Sequence, residues 1–160
     1  MKKLAVVAAL AAMSMPVLGA LPVVPAKDQQ ALLRSPDPKL AANKKIAYDF
    51  FRIVLMGLRL DQAPNFMKED YMQHNPNADT GLKGFLAYFE RLGGPRDVPG
   101  DLPGLVAIQA EGDLVTLSFV REYDDPQKPG QKYTTTWFDM FRIEGDKIAE
   151  HWDSAMMASP

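Results

Sequence analysis

The sequence predicts a single domain of the α+β class, and three observations support this. Amphipathic segments with the 3.6-residue spacing of helices fill the first half of the chain. Segments in which apolar and polar residues alternate, as they do in strands, fill the second half. Gly93–Gly104, with three prolines and four glycines, separates the two halves. Helices followed by an antiparallel sheet that covers them on one face make an α+β fold.

The composition excludes several classes of function. The chain has 160 residues, of which 18 are basic and 20 acidic, so it lacks the positive surface that nucleic acid binding requires. It has no cysteine, which excludes disulfides, thiolate metal sites and cysteine nucleophiles. Two histidines are too few for a multi-histidine metal centre. We therefore expect no metal, no cofactor and no nucleic acid partner.

The first 20 residues have the three-part layout of a secretory signal peptide. A basic start, Lys2-Lys3, precedes an unbroken apolar run from Leu4 to Met13, and the small residues Gly19 and Ala20 follow. The run is shorter than the ~20 residues that cross a bilayer, although an uncleaved anchor is the alternative. We expect cleavage near Gly19 or Ala20, a mature chain that is periplasmic or secreted, and no membrane contact after cleavage.

Residues 21–37 are expected to form a linker or strap ahead of the domain, which covers residues 38–160. Within the strap, Lys27–Arg34 can form a short helix before Ser35–Pro38 breaks it. A long helix is predicted over Pro38–Gly57 with Asp37 as its N-cap. A helical turn or two should follow over Asp61–Met67.

Another helix is predicted across Leu82–Leu92, with Thr80 as its cap. Four strands follow: Leu105–Ala110, Leu114–Tyr123, Lys132–Ile143 and Lys147–Asp153. The last two form a C-terminal hairpin. Such a sheet, bent around its helices, leaves a pocket open at one end.

The hairpin carries ionisable residues among aromatic ones, and its register decides which of them share a face. With a two-residue loop, Asp139 lies opposite Trp152 and Asp153 points to the other face. With a loop one residue longer, Asp139 lies opposite Asp153, and both share a face with His151. That second register would leave Ile148 and Trp152 on the outer face, where they would need a subunit partner or a covering segment.

Three segments, Tyr71–Pro76, Asp139–Ile143 and Gly145–Asp153, resemble the motifs of SnoaL-like proteins, which belong to the nuclear transport factor 2-like group. The resemblance covers roughly residues 44–157. It implies a cone-shaped fold with N-terminal helices packed on a strongly curved, mainly antiparallel sheet, and it supports the register that pairs Asp139 with Asp153. Characterised members include polyketide cyclases that close a ring by an intramolecular aldol reaction without metal or cofactor, using an aspartate as proton carrier.

The resemblance matches this aspartate to Asp153 and the preceding histidine to His151, and it implies that both are catalytic. Where the cyclases have a pocket histidine this chain has Asp139, which makes the same substrate doubtful. Asp153 would remove a proton next to a carbonyl, and a neighbouring Asp139 would leave one carboxyl protonated and one ionised. His151 would orient Asp153 or polarise a carbonyl. The alternatives are structural: Asp153 can cap backbone amides, and His151 can bond at the sheet surface.

Four further residues are candidates for ligand binding. His74 would line the mouth of the pocket, Tyr71 would offer its hydroxyl, and Trp137 and Phe141 would form aromatic walls. For the aromatic residues, packing in the core is the alternative. A metal site of His74, His151 and the two aspartates is a weaker alternative, since no short ligand spacing supports it.

We predict an exported SnoaL-like protein whose pocket takes a small apolar or carbonyl-containing ligand. Cofactor-free acid–base catalysis would serve aldol-type cyclisation, isomerisation or dehydration alike. The alternative is a non-enzymatic module of the same fold for ligand binding or assembly. Along the predicted strand Lys132–Ile143, every second residue faces outward: Thr134, Thr136, Phe138 and Met140. This leaves apolar groups on the outer face and predicts a homodimer through it.

Overall fold

The computed structural model describes residues 20–158. The predicted signal peptide, apart from Ala20, lies outside the described residues. In the part of the chain that is described, no helix has the length and apolar character needed to cross a membrane.

The helical half of the chain follows the predicted order. Helix α1 is Gln29–Leu32, and helix α2, Pro38–Phe50, begins at Asp37, whose carboxylate accepts hydrogen bonds from two backbone amides of the first turn. A π-helical segment, Phe51–Met56, continues α2 directly, which confirms the predicted long helix. A 3₁₀ turn at Leu60–Gln62 leads to helix α3, Ala63–Phe66.

Helix α4, Gly81–Glu90, differs from the prediction at its start. Thr80 occupies the N-cap position, but its hydroxyl does not cap the helix. It donates to the carbonyl of Tyr71 at 2.9 Å and accepts from the amide of Gln73 at 3.2 Å. Thr80 therefore fastens the helix to the neighbouring strand.

Five strands form one sheet in the order β1-β5-β4-β3-β2. Their bounds are Met67–Gln73 for β1, Leu105–Glu111 for β2, Leu114–Asp124 for β3, Lys132–Glu144 for β4 and Lys147–Asp153 for β5. All neighbours are antiparallel except β1, which pairs parallel with β5. The sheet curves, and helices pack on one of its faces, so the α+β prediction is confirmed.

The prediction missed strand β1. It lies at the sheet edge with β5 as its one neighbour, and three charged residues in succession, Lys68, Glu69 and Asp70, interrupt its apolar alternation. An edge strand can expose such residues to water, so its sequence resembles a loop. The predicted helical turns end at Phe66, and Met67 already belongs to the strand.

The β4–β5 hairpin combines the two registers that the sequence left open. Its loop has two residues, Gly145 with a φ of 67° and Asp146, between the paired Glu144 and Lys147. After Ile143 and Ile148, however, the register shifts by one residue, so that Arg142 pairs with Glu150 and Asp139 pairs with Asp153. The extra residue on β5 is Ala149, a β-bulge.

This bulge corrects the expectation that Ile148 faces outward. Ile148 is fully buried in the core, because the extra residue resets the alternation between it and His151. Around it, side chains from α2, the π-helical segment and the inner face of the sheet form the hydrophobic core. This core includes Phe50, Val54, Met67, Val115, Leu117 and Phe141.

The strap is joined to the domain by buried hydrogen bonds. The side chain of Gln29 donates to the carbonyl of Leu102 and accepts from its amide, at 2.7 and 2.8 Å. The hydroxyl of Tyr48 donates to the same side-chain oxygen of Gln29 at 3.0 Å. Further toward the N-terminus, the amide of Val23 donates to the Thr134 hydroxyl on β4.

Candidate functional site

A cavity of about 400 Å³ lies between the helices and the inner face of the sheet. Helix α2, the π-helical segment and helix α4 contribute aromatic walls, and strands β1, β4 and β5 contribute polar groups. Its aromatic lining includes Phe50, Phe51, Phe85, Phe89, Trp137 and Phe141. Of the predicted binding residues, Tyr71, Trp137 and Phe141 line this cavity. Its size and mostly apolar wall suit a small organic ligand.

The three predicted catalytic residues lie together on the cavity wall. Nε2 of His151 is 3.1 Å from Oδ1 of Asp139, and both residues are buried. Each of Asp139, His151 and Asp153 offers one polar atom within 4.8 Å of the others. We call these three residues the acid–histidine cluster. The register that pairs Asp139 with Asp153 places both acids on the inner face, because residues directly opposite in a sheet share a face.

Gln73 fixes which ring nitrogen of His151 carries hydrogen. The Gln73 side-chain oxygen accepts from the backbone amide of Asn75 at 3.0 Å, and the same oxygen lies 2.8 Å from Nδ1 of His151. Since that oxygen can only accept, Nδ1 must donate. Nε2 then faces Oδ1 of Asp139, at 3.1 Å. This places an imidazole nitrogen and a carboxyl, two groups that serve in acid–base chemistry, side by side at the cavity wall.

Asp153 is held in place through both carboxylate oxygens. Oδ2 accepts from the side-chain amide of Asn75 at 2.7 Å, and Oδ1 accepts from the backbone amide of Ala155 at 2.9 Å. The second contact caps a backbone amide at the end of the strand, which is the structural role given above as the alternative to catalysis by Asp153. Each oxygen keeps a further lone pair, since a carboxylate has about four acceptor sites. The arrangement fixes the orientation of Asp153 and leaves it able to accept a proton.

Tyr71 contributes a buried phenol to the same wall. Burial, followed by the charges of Asp153 and Asp139, raises the pKa of Tyr71 well above its ordinary value. The phenol therefore keeps its hydrogen at neutral pH. Its oxygen accepts from the side chain of Gln73 at 3.0 Å, so its O–H can donate to a ligand oxygen in the cavity.

The predicted position of His74 in the pocket wall is wrong. Its ring stacks on Trp152 with centroids 5.2 Å apart and an angle of 4° between the planes, and Nε2 lies 2.8 Å from Oε1 of Glu150. It is exposed and does not line the cavity. The missed strand explains the error, because alternation along β1 turns Tyr71 inward and His74 outward.

The same alternation would have identified two functional residues that the prediction overlooked. Gln73 and Asn75 flank His74, line the cavity and hold His151 and Asp153. Both stand in the motif that carries the family resemblance. Recognising β1 as a strand would have placed them on the inner face.

The acid–histidine cluster is also the set of described residues that could hold a metal ion. With His74 on the outer face, the predicted two-histidine set becomes one histidine and two carboxylates. The Gln73 hydrogen bond to Nδ1 leaves Nε2 of His151 as the ligand atom, a common arrangement of metal-bound histidines.

Solved structures similar to this chain define its fold class. A candidate polyketide cyclase from Acidithiobacillus ferrooxidans has 18% identity and a TM-score of 0.52, covering 75% of this chain and 89% of its own. A nuclear transport factor 2-like protein of unknown function from Burkholderia pseudomallei has 13% identity and a TM-score of 0.50, covering 70% and 88%. At such identities the likeness concerns the fold, which is nuclear transport factor 2-like.

The family follows from the sequence match. The model of the SnoaL-like domain matches residues 48–151, which is more than half of the chain. The chain therefore belongs to the SnoaL-like domain family. No curated protein sequence matches it. Family and fold together support a small-ligand-binding or catalytic role.

Proposed function

We propose that the cavity catalyses cofactor-free acid–base chemistry on a small carbonyl compound, as in aldol-type cyclisation, isomerisation or dehydration. One observation carries this proposal. Two carboxyls and a histidine, with polar atoms within 4.8 Å of one another, face an aromatic-walled cavity of about 400 Å³. Functional sites are enriched in such groupings of titratable residues in a cleft.

Each residue has a distinct role in the proposed reaction. Asp153, oriented by Asn75, removes a proton from the carbon next to the ligand carbonyl. The Tyr71 phenol donates to the carbonyl oxygen as negative charge develops there. The Asp139–His151 pair supplies a proton to the product, and Asp153 then returns the proton it removed to the pair, whose polar atoms lie within 4.8 Å. Aldol closure, isomerisation and dehydration all begin with this proton abstraction, so one assay serves all three.

The assay is hydrogen–deuterium exchange at the α-carbon of 2-tetralone, a small cyclic ketone, followed by proton NMR in D₂O. The protein should accelerate exchange over buffer, and Asp153→Asn should reduce the acceleration by about 10²-fold or more, because an amide is no base. Asp146→Asn, at the exposed hairpin turn, removes the same charge away from the cavity and should change nothing. Exchange that survives Asp153→Asn contradicts the proposal.

Ligand binding without catalysis is the second candidate function, and the contacts of Asp153 favour it. Both of its oxygens already accept hydrogen bonds from the protein, as expected of a structural carboxylate. In this case 2-tetralone shifts the NMR signals of the cavity residues, yet its α-hydrogens exchange at the buffer rate. The same NMR sample distinguishes the two functions.

We also propose that the protein acts outside the cytoplasm, on the strength of the signal peptide pattern in residues 1–20. Expression of the full chain in a bacterium should give a periplasmic or secreted product that begins near Leu21. Mass spectrometry of the product measures this start. A full-length product retained in the cytoplasm contradicts the proposal.

A homodimer through the outer sheet face is the remaining proposal. Phe138 is 49% exposed, and it shares a shallow outer depression with Met140 and Trp152. Exposed apolar patches of this kind occur at subunit interfaces. Sedimentation equilibrium should give twice the monomer mass, and Phe138→Glu should give the monomer. A wild-type monomer at micromolar concentration contradicts the dimer.

A further inference from the structure

The charges along the cavity are unevenly distributed. Its lining includes two carboxylates, in the acid–histidine cluster, and a single arginine, Arg121. Arg121 is exposed, whereas Asp139 is buried, so the arginine lies at the rim and the cluster lies deeper. An anionic ligand group would be repelled by the cluster and attracted to the rim.

Arg121 is held by an aromatic contact and has no ion-pair partner within residues 20–158. Its guanidinium carbon lies 4.7 Å from the centre of the Trp137 ring, a cation–π contact that restricts the side chain. Among the described residues no carboxylate forms a salt bridge with it, although the chain is rich in acids. The guanidinium N–H groups form the planar fork that fits a carboxylate, so Arg121 can bind an anionic ligand group at the rim.

The strand register gives the backbone separation between Arg121 and the position opposite Asp139. On β3, Leu117 pairs with Asp139 and Arg121 pairs with Thr135. Four residues of strand rise ~13 Å, and both side chains line the cavity from these positions, so they can contact opposite ends of a ligand the size of two fused rings.

We propose that the cavity takes a ligand with a carboxylate at one end, which Arg121 binds at the rim, and a carbonyl or hydroxyl at the other, which meets the acid–histidine cluster. This substrate class rests on the proposed function. Arg121 is then a specificity-determining residue: it selects and aligns the ligand and takes no part in proton transfer.

The test compares 6-hydroxy-2-naphthoate with its neutral carboxamide, by titration of the naphthol fluorescence. The wild type should bind the carboxylate about fivefold more tightly than the carboxamide, as expected for a partly exposed ion pair. Arg121→Gln should remove this preference, while Arg121→Lys should keep part of it, since the charge remains without the fork. The preference of the wild type should also weaken with added salt.

Arg91→Gln is the matched control. Arg91 also stacks on an aromatic residue of the cavity wall, Tyr88, at 5.1 Å, yet does not itself line the cavity. The control should keep the wild-type preference. Equal binding of both probes by the wild type, an unchanged preference in Arg121→Gln, or the same loss in Arg91→Gln overturns the inference. Ketone exchange that survives Asp153→Asn overturns only the proposed function, because the two experiments measure different quantities.

Discussion

At the β4–β5 hairpin a histidine–carboxylate pair lies on each face of the sheet, the outer histidine coming from the end of β1, and the two pairs differ in how their negative charge is balanced. On the outer face, Glu150 accepts from His74 with one oxygen and from Arg142 with the other, at 2.8 and 2.9 Å. On the inner face, Asp139 contacts His151, and no lysine or arginine forms an ion pair with either acid of the cluster within residues 20–158.

The comparison separates a structural pair from the pair that the proposed function uses. A fixed arginine balances the charge of Glu150 and lowers its pKa, so the outer carboxylate stays ionised and serves structure. The inner pair has no such arginine within residues 20–158, and it faces the cavity. Under the proposed function, the inner pair is the one that transfers a proton.

The largest expected effect is on catalysis. Asp139→Asn should slow the exchange of 2-tetralone by about 10²-fold, because an amide cannot share a proton with His151 as a carboxyl does. Glu150→Gln, the equivalent change on the outer face, should alter the rate by less than about twofold. The NMR exchange rates of the two variants measure this contrast directly. Equal losses in both variants would mean that the faces do not differ as proposed.

The next largest effect is on the free energy of unfolding. It compares Phe141, which stacks on His151, with Trp152, which stacks on His74. Phe141 is buried, lies 4.8 Å from His151 and contacts Phe50 edge-on. Phe141→Ala should lower the unfolding free energy by about 3–5 kcal/mol through the cavity it leaves. Trp152→Ala, on the half-buried outer stack, should cost about 1 kcal/mol.

Denaturant unfolding measures both changes. Should Phe141→Ala fail to fold, Phe141→Leu keeps most of the volume and should cost under about 1.5 kcal/mol. A cost for Trp152→Ala as large as that for Phe141→Ala would show that the outer stack is part of the core.

A smaller effect depends on pH. Hydrogen bonds from Arg142, and next from His74, hold the pKa of Glu150 below its ordinary value of 4.5. Because the folded state binds this proton less tightly than the unfolded state, the contribution of Glu150 to stability is present above about pH 4.5 and is lost as the pH falls through the lower folded value. Glu150→Gln should therefore cost about 1 kcal/mol at pH 7 and less at pH 3.

Thermal unfolding of wild type and variant at pH 7, 5 and 3 checks the sign. The two melting temperatures should converge as the pH falls. A difference that grows toward acid pH would contradict the assignment of Glu150 as an ionised, arginine-paired carboxylate.

The two strands of the hairpin also show how much of the fold the sequence could predict. Alternation identified β4 and β5 because both strands have neighbours on either side, and β4 buries every second residue from Asp139 to Ile143. It did not locate the bulge at Ala149, because the two registers considered from the sequence each assumed unbroken pairing along both strands, and a bulge combines them. The chemistry of the residues, which joins Arg142 to Glu150 and groups both acids with His151, favoured the observed pairing of Asp139 with Asp153, and the family motif supported it.

Strand β1, by contrast, was not predicted as a strand at all. Its position at the sheet edge permits charges that hide its alternation, so His74 was expected in the pocket, and Gln73 and Asn75 were overlooked. The parallel pairing of β1 with β5 joins residues about 80 positions apart, and no local pattern reports such a contact. The cavity residues of the hairpin were therefore all predictable, whereas of those at the edge only Tyr71 was predicted.

The smallest expected effect is that of replacing His74. It tests most directly whether the His74–Glu150 pair on the outer face has only a structural role. Water can replace its hydrogen bond to Glu150, since the imidazole is exposed, and Arg142 still balances the carboxylate. His74→Ala should thus lower the unfolding free energy by about 0.5 kcal/mol and leave ketone exchange unchanged. Combined with Glu150→Gln in a double-mutant cycle, it should give a coupling energy below about 1 kcal/mol. If His74→Ala instead stops exchange as Asp139→Asn is expected to, the outer pair takes part in the chemistry and the division between the two faces fails.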